Sequence, residues 1–531
     1  MNRRRFLRTA TTGAAALALG DHFASVASSA TGFTPSRDAR LPRKPNLLFI
    51  LTDQQRWDTL ACYGNRTINA PTLNALAAQS VVFNHAFVSH PVCTPSRGTL
   101  MSGLWPHQSG VTANNIPLPS STRCYNQLLA DPDYRTGYIG KWHLGDELFA
   151  QHDFAEWIAT EDEYQALFSA GRDKNAKSDY WQFLTGHGQK PDKKNGYFSR
   201  TFAVRAPIEL GKPAFQATRA VDFLQRHRKD PFILQVSYLE PHTPYESPLH
   251  DLYADEDIPL CESYYKDGPD DDIPWRIRLR QMSFSRSKTF SKSPAQLADI
   301  TRHYYGNISC VDRSVDTILR ELERLGLADH TIVVFTSDHG DQMSAHRLWY
   351  KEVMYQESLR VPLLMRVPGV RGGARIDAPW SHIDMVPTLL GLLGADKKMI
   401  SPLSGRDRSA EIQGASIPPT SVFAEWSPND RDDDGEPGKK RRTKKDIYAA
   451  NHPDLAKYVD ESSRTVITPD GWRLTLSDID KCQLFNLCDD PTEQHNLYYR
   501  VSHRDIVKRL AAEIAMWQQD TGDSLSKALK F

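Results

Sequence analysis

The sequence predicts an α/β protein: a large doubly wound mixed sheet flanked by helices, followed by a smaller C-terminal antiparallel-sheet subdomain. Three observations carry this reading. Short continuous apolar runs recur along the chain and stop abruptly at polar residues. Segments of helical periodicity lie between them. The C-terminal part changes to short strand-like stretches and one closing amphipathic helix.

The first run, "PNLLFILTDQQR", ends at Asp53, and a second, "DPFILQVSYLEPHTPY", ends near Glu240 and His242. A third, "HTIVVFTSDHGD", ends at Asp338-His339, and "RVPLLMRVPG" is a fourth. Runs without polar alternation suit strands buried on both faces of a parallel sheet. The segments "APTLNALAAQS", "AFQATRAVDFLQRH" and "LADITRHYYGNISCVDRSVDTILRELERLG" read as helices between them. Ligands of doubly wound sheets gather at the carboxyl ends of the strands, where Asp53, His242, Asp338 and His339 all fall. In the tail, "DGWRLTLSDIDKCQLFNLCDDPTEQHNLY" reads as short antiparallel strands and "DIVKRLAAEIAMWQQDTG" as the amphipathic helix.

The N-terminus "MNRRRFLRTATTGAAALALG" carries an Arg pair, an apolar run too short to span a bilayer, and small residues up to Ala30. It reads as a twin-arginine export signal over 1–30, which predicts a periplasmic or secreted protein with no membrane attachment after cleavage. The expected organisation is then a linker over 31–44, a catalytic α/β domain over 45–410 and an α+β subdomain over 411–531. Lys and Arg total 65, as do Asp and Glu, so no basic field argues for nucleic acid. Seven cysteines are too few for a disulfide scaffold. Cys482 and Cys488 are close enough in sequence to pair. The charged stretch 427–446 reads as a solvated loop, and the Pro- and Asp-rich stretch from 261 as a candidate lid.

The chemistry begins with metal-ligand types. Asp53, Asp338 and His339 bring two carboxylates and an imidazole to strand ends, a set that suits a divalent cation, with oxygen dominance favouring Ca²⁺ or Mg²⁺. Any one aspartate there is more commonly a helix cap, but two converging carboxylates repel unless something neutralises them. Cationic and imidazole groups join them: Arg97, Lys141, His143, His242 and Lys351. Lys141 and His143 share one side if the chain is extended. Metal plus cations suits a tetrahedral oxyanion, whose developing charge preorganised donors stabilise.

These residues sit in motifs. "CTPSR", "GKWHLG", "EPHTPY", "SDHGD", "LWYKE", "DMVPTLLGLLG" and "LFNLCDDPTEQHNL", in that order, resemble the type I sulfatases of the alkaline phosphatase superfamily over about residues 45–500. The resemblance implies that a formylglycine-generating maturation enzyme oxidises Cys93 to Cα-formylglycine. One hydroxyl of the hydrated aldehyde would attack sulfur, and the other would expel the sulfate. It implies Asp53, Gln54, Asp338, His339 and the oxidised Cys93 as ligands of one divalent cation, most simply Ca²⁺. Arg97 and Lys141 would hold the formylglycine oxygens, and His143 would take the proton that triggers release. His242 and Lys351 would bind sulfate, His242 assisting the leaving oxygen. A helix starting just after Cys93 would point free N–H groups at the anion.

Two departures from the family pattern stand out: Gln54 where many members have Asp, and His339 where many have Asn. The expected activity is hydrolysis of sulfate esters on an extracellular sulfated carbohydrate. A phosphate or phosphonate ester hydrolase is the enzymatic alternative, and a glycan binder that is never matured the non-catalytic one.

Overall fold

The computed structural model describes residues 41–254, 258–265, 272–290, 292–428 and 452–527. The expected signal segment, most of the linker, the bulk of the charged stretch 427–446 and the centre of the candidate lid lie outside the described residues. Among the described residues no helix is long and apolar enough to cross a membrane.

Fifteen strands are described: β1 Asn46–Asp53, β2 Val81–Phe83, β3 Ala86–Phe87, β4 Arg135–Gly140, β5 Glu156–Ala159, β6 Phe232–Pro241, β7 Thr331–Ser337, β8 Arg360–Val361, β9 Leu363–Arg366, β10 Arg375–Ile376, β11 Trp380–Ser381, β12 Val422–Trp426, β13 Ser463–Ile467, β14 Trp472–Ser477 and β15 Gln483–Asn486. Eight of them form one sheet in the order β10-β2-β9-β7-β1-β6-β4-β5. The block β7-β1-β6-β4-β5 is parallel throughout. The fourth apolar run became β9, which pairs antiparallel with β7 and β2, so the sheet is mixed rather than parallel at that point. Apolar runs report burial on both faces, not strand direction.

β1 shows why such runs lack alternation. Its Leu47, Phe49 and Leu51 enter one apolar core, and its Leu48 and Ile50 enter the other. Helices α1 (Pro71–Ala78), α3 (Lys212–Arg226) and α4 (Pro294–Arg324) line the second core; α2 (Cys93–Ser102) and α5 (Met385–Leu392) line the first. Helix α4 starts at a Ser293 capping box with Pro294 behind it, where a missing N–H is harmless. It buries Tyr304, Ile308, Val311, Val315, Ile318 and Leu322 along one face. Each fully buried large apolar side chain contributes about 1.5–3 kcal/mol.

Strands β12-β13-β14-β15 form a separate antiparallel sheet, and β11-β3-β8 a small third one. Helix α6 (Arg504–Thr521) lays Leu510 and Ile514 on Val466, Leu474 and Leu484 of the four-stranded sheet. The short helix Ser409–Ile412 straddles the expected boundary at 410/411, and its Ile412 packs into the first core. Cys482 and Cys488 are both free thiols.

Candidate active site

The four adjacent strands β7, β1, β6 and β4 end side by side, and each delivers site residues at its carboxyl end. β1 ends on Asp53, β7 leads into Asp338-His339, β6 into His242 and β4 into Lys141. The β4 strand was not among the apolar runs, because "RTGYIG" carries two glycines and a polar start. Gly140 explains part of this: its φ is +117°, and a Cβ there would stand 1.9 Å from the Ser237 carbonyl oxygen. No other residue lets β4 pass so close to β6 and turn into Lys141.

Arg97 ties the two carboxylates together. Its Nε donates to Asp338 Oδ2 at 2.7 Å and one terminal nitrogen to Asp53 Oδ2 at 2.9 Å. The other donates to the Lys141 carbonyl and to Ser237 Oγ. The guanidinium therefore lies on the ligand carboxylates and the backbone rather than being reserved for residue 93. Lys141 Nζ adds a 2.7 Å ion pair to the same Asp53 oxygen. Burial by itself would raise the Asp53 carboxyl, but Lys141, Arg97 and Lys351 together hold it well below the usual carboxylate range. The repulsion expected between converging aspartates is thus met by fixed cations.

Cys93 is the first residue of α2, not the residue before it, and is buried. Its Sγ lies 3.0 Å from His339 Nε2, 3.4 Å from Lys351 Nζ and 3.8 Å from Asp53 Oδ1. Burial and Asp53 push the thiol up, yet Lys351, Lys141 and His339 outweigh them and leave it below a free thiol. The helix start is less open to an anion than expected. The Thr94 N–H donates to Asn114 Oδ1, Pro95 has none, and the Ser96 N–H bonds the Val92 carbonyl.

Asp53, Cys93, Asp338 and His339 have ligand atoms all within 4.8 Å of one another, and all four are buried, so they could hold one metal ion. The His339 tautomer fits that use. Its Nδ1–H donates to the Gly340 carbonyl at 2.8 Å, which leaves Nε2 as the atom that faces the cluster and could ligate a metal. Gln54, in a left-handed conformation with φ 69°, turns its amide oxygen to Lys351 Nζ at 2.6 Å and donates its amide N–H groups to Tyr245 and Asp341. That oxygen therefore shares Lys351 Nζ with the Cys93 sulfur. Lys351 itself stands between two left-handed residues, Tyr350 and Glu352. Arg280 and Arg276 hold that turn by donating to the Lys351 and Glu352 carbonyls.

Two further histidines of the site are held towards their neutral forms. Burial, then Lys141 and Arg97, hold His143 well below its ordinary value; burial and Lys351 do the same to His242. His143 Nε2 donates to Asn115 Oδ1 at 2.9 Å, so Nδ1 carries the free lone pair, buried with no hydrogen-bond partner among the described residues. His242 Nδ1 bonds the Thr243 carbonyl at 2.9 Å. The extended conformation expected for Lys141-Trp142-His143 is not found: His143 has φ 59°. Asn115, Tyr164, whose ring stacks on His143 at 4.3 Å, and Glu147 are site residues that the sequence reading missed. Only Glu147 left a trace, a carboxylate shortly after "GKWHLG".

A buried group of residues that could hold a metal ion, a thiol at a helix start and converging cations at the carboxyl edge of a mixed sheet suit a hydrolase of tetrahedral oxyanion esters. The family model described as Sulfatase matches residues 45–395, and the chain belongs to the sulfatase family, enzymes that hydrolyse sulfate esters. It is 29% identical to an uncharacterized sulfatase of Escherichia coli (strain K12), over 88% of this chain and 86% of that one. It is 30% identical to the ulvan-active sulfatase of Formosa agariphila, over 70% of this chain and 66% of that protein. Among solved structures it resembles a phosphonate monoester hydrolase from Silicibacter pomeroyi, with a TM-score of 0.72 at 19% identity over 91% and 97% of the two chains, which is a likeness of fold.

Proposed function

We propose that this sulfatase acts on a sulfated carbohydrate outside the cytoplasm, through a formylglycine made from Cys93 by a maturation enzyme. The observation that carries the reading is the meeting of Cys93 with Asp53, Asp338 and His339 inside a ring of buried cations. The formylglycine would supply the nucleophile, and a bound divalent cation, Ca²⁺ by its oxygen-rich ligand set, would neutralise oxyanion charge. Asp53, Asp338, His339, residue 93 and the Gln54 amide oxygen would hold that cation.

The remaining roles belong to the chain's own side chains. Arg97 positions both ligand carboxylates, and Lys141 holds Asp53 ionised. Lys351 and His242 face the sulfate, and His242 assists the leaving oxygen. His143 is neutral with its Nδ1 lone pair uncommitted, which suits a base that accepts a proton from residue 93 in the release step. The carbohydrate assignment draws support from the relative named for activity on ulvan, and export from the twin-arginine pattern over 1–30.

A second reading, phosphate or phosphonate ester hydrolysis, is favoured by Gln54. A neutral amide in place of a second carboxylate leaves the site more positive, which suits a dianion. A desulfation screen over defined sulfated saccharides, with paired kinetics on an aryl sulfate and an aryl phosphate, decides between them. Turnover of the phosphate alone overturns the sulfatase reading, and no aldehyde at residue 93 in active protein overturns the nucleophile.

A further inference from the structure

Glu147 belongs to no strand and is completely buried, and it forms no salt bridge among the described residues. Its two carboxylate oxygens are spent on backbone. Oε1 accepts the Trp142 N–H and Oε2 the His143 N–H, each at 2.7 Å. The peptide it grips is the one that takes His143 into the left-handed conformation, which a residue with a Cβ enters only under strain. Successive N–H groups in such a turn point to one side and form an anion-binding concavity. Here the anion is an internal carboxylate, and it is itself anchored, because the Trp157 indole N–H donates to the Glu147 carbonyl at 3.0 Å.

We infer that Glu147 is a positioning residue for the release step: it clamps the Lys141-Trp142-His143 turn so that Lys141 reaches Asp53 while His143 aims its Nδ1 lone pair into the site. This rests on the role proposed for His143. From the clamped backbone, the His143 ring is then fixed on two further sides, by Asn115 Oδ1 at 2.9 Å and by the Tyr164 ring. Burial pushes the Glu147 carboxyl up to about 7, the two N–H bonds opposing that rise, so the clamp is held at a desolvation cost that core packing alone would not require.

The test uses the matured enzyme and two variants. Glu147→Gln keeps the shape but turns an amide NH2 group toward one of the two N–H donors. Glu147→Asp keeps the charge but shortens the reach. Each should fold with one cooperative thermal transition and keep its divalent metal. With an aryl sulfate, Glu147→Gln should lose about 10- to 100-fold in kcat with KM little changed. Alcohol should still be released in a first burst, while an adduct accumulates by mass on the peptide holding residue 93; Glu147→Asp should recover part of the loss. Wild-type kcat, or equal slowing of burst and steady state without adduct, overturns the assignment. If Glu147→Gln does not fold, Glu147→Asp decides: slowed release with adduct supports the clamp, and wild-type release overturns it. His143→Ala run alongside separates the two readings: if it too gives no adduct after a normal burst of alcohol, the His143 reading falls instead.

Discussion

His339 Nε2 lies 3.0 Å from Cys93 Sγ, across 246 residues of chain, with the His339 Nδ1–H fixed on the Gly340 carbonyl. That contact joins the start of α2 to the end of β7 and places Cys93 in a buried cluster that could hold a metal ion. Cys93→Ser nearly preserves the shape, so packing predicts a stability cost below about 1.5 kcal/mol. The variant should fold and keep metal but make at most one turnover, where its host does not oxidise serine. Peptide mass spectrometry of the active wild type should show an aldehyde at residue 93. Sustained turnover by unmodified Cys93 would falsify the mechanism.

Metal removal should abolish turnover, and Ca²⁺ should restore it. The buried cluster of Asp53, Cys93, Asp338 and His339 also predicts that chelation lowers the thermal midpoint, since a ligand bound only by the folded state stabilises it. His339→Ala should weaken both effects. Full activity in a sample shown to be metal-free sinks the assignment.

His143→Ala should slow sulfate release more than the initial attack, because the Nδ1 lone pair is the uncommitted base. The adduct on the peptide holding residue 93 should accumulate after a normal burst of alcohol. A slower burst with no adduct means that His143 works in the first step.

Arg97→Ala should cost about 3–5 kcal/mol in the metal-free protein, the penalty for stranding buried charges. Asp53 and Asp338 would then face each other with the Lys141 ion pair on Asp53 and the His339 imidazole, 3.9 and 3.6 Å from the two carboxylates, in place of the guanidinium that bridges them. Denaturant unfolding of both proteins measures it; a change below about 1 kcal/mol, the range of an exposed pair, shows that the guanidinium does not hold the site together.

Acid should destabilise the fold through buried histidines. His90 and His382 are pushed by burial from 6.5 down to about 3. Above 6.5 both states are neutral and the stability is intact. As the pH falls from 6.5 towards 3, the unfolded chain takes up protons that the folded one refuses, so stability declines. The thermal midpoint should drop across this window and drop less steeply in His382→Gln. Identical slopes would remove His382 from the account.

The α/β class, the strands that end on Asp53, His242 and Asp338, and the long helices were legible in the order of the residues alone. Both kinds of signal are local: an apolar run reports a strand buried on two faces, and a 3.6-residue period reports a helix with one buried face. The ordered motifs also picked out Cys93, Arg97, Lys141, His143 and Lys351 before any contact was known. What only the tertiary structure decided depends on distance and direction in space. β9 runs antiparallel because of where its neighbours lie, not because of its composition. β4 was hidden because its glycines answer to the approach of β6. Arg97 turned out to bridge two carboxylates, and the Lys141–His143 turn to be left-handed over Glu147, because hydrogen bonding across the sheet edge settled which buried charges meet and which backbone N–H groups needed an acceptor.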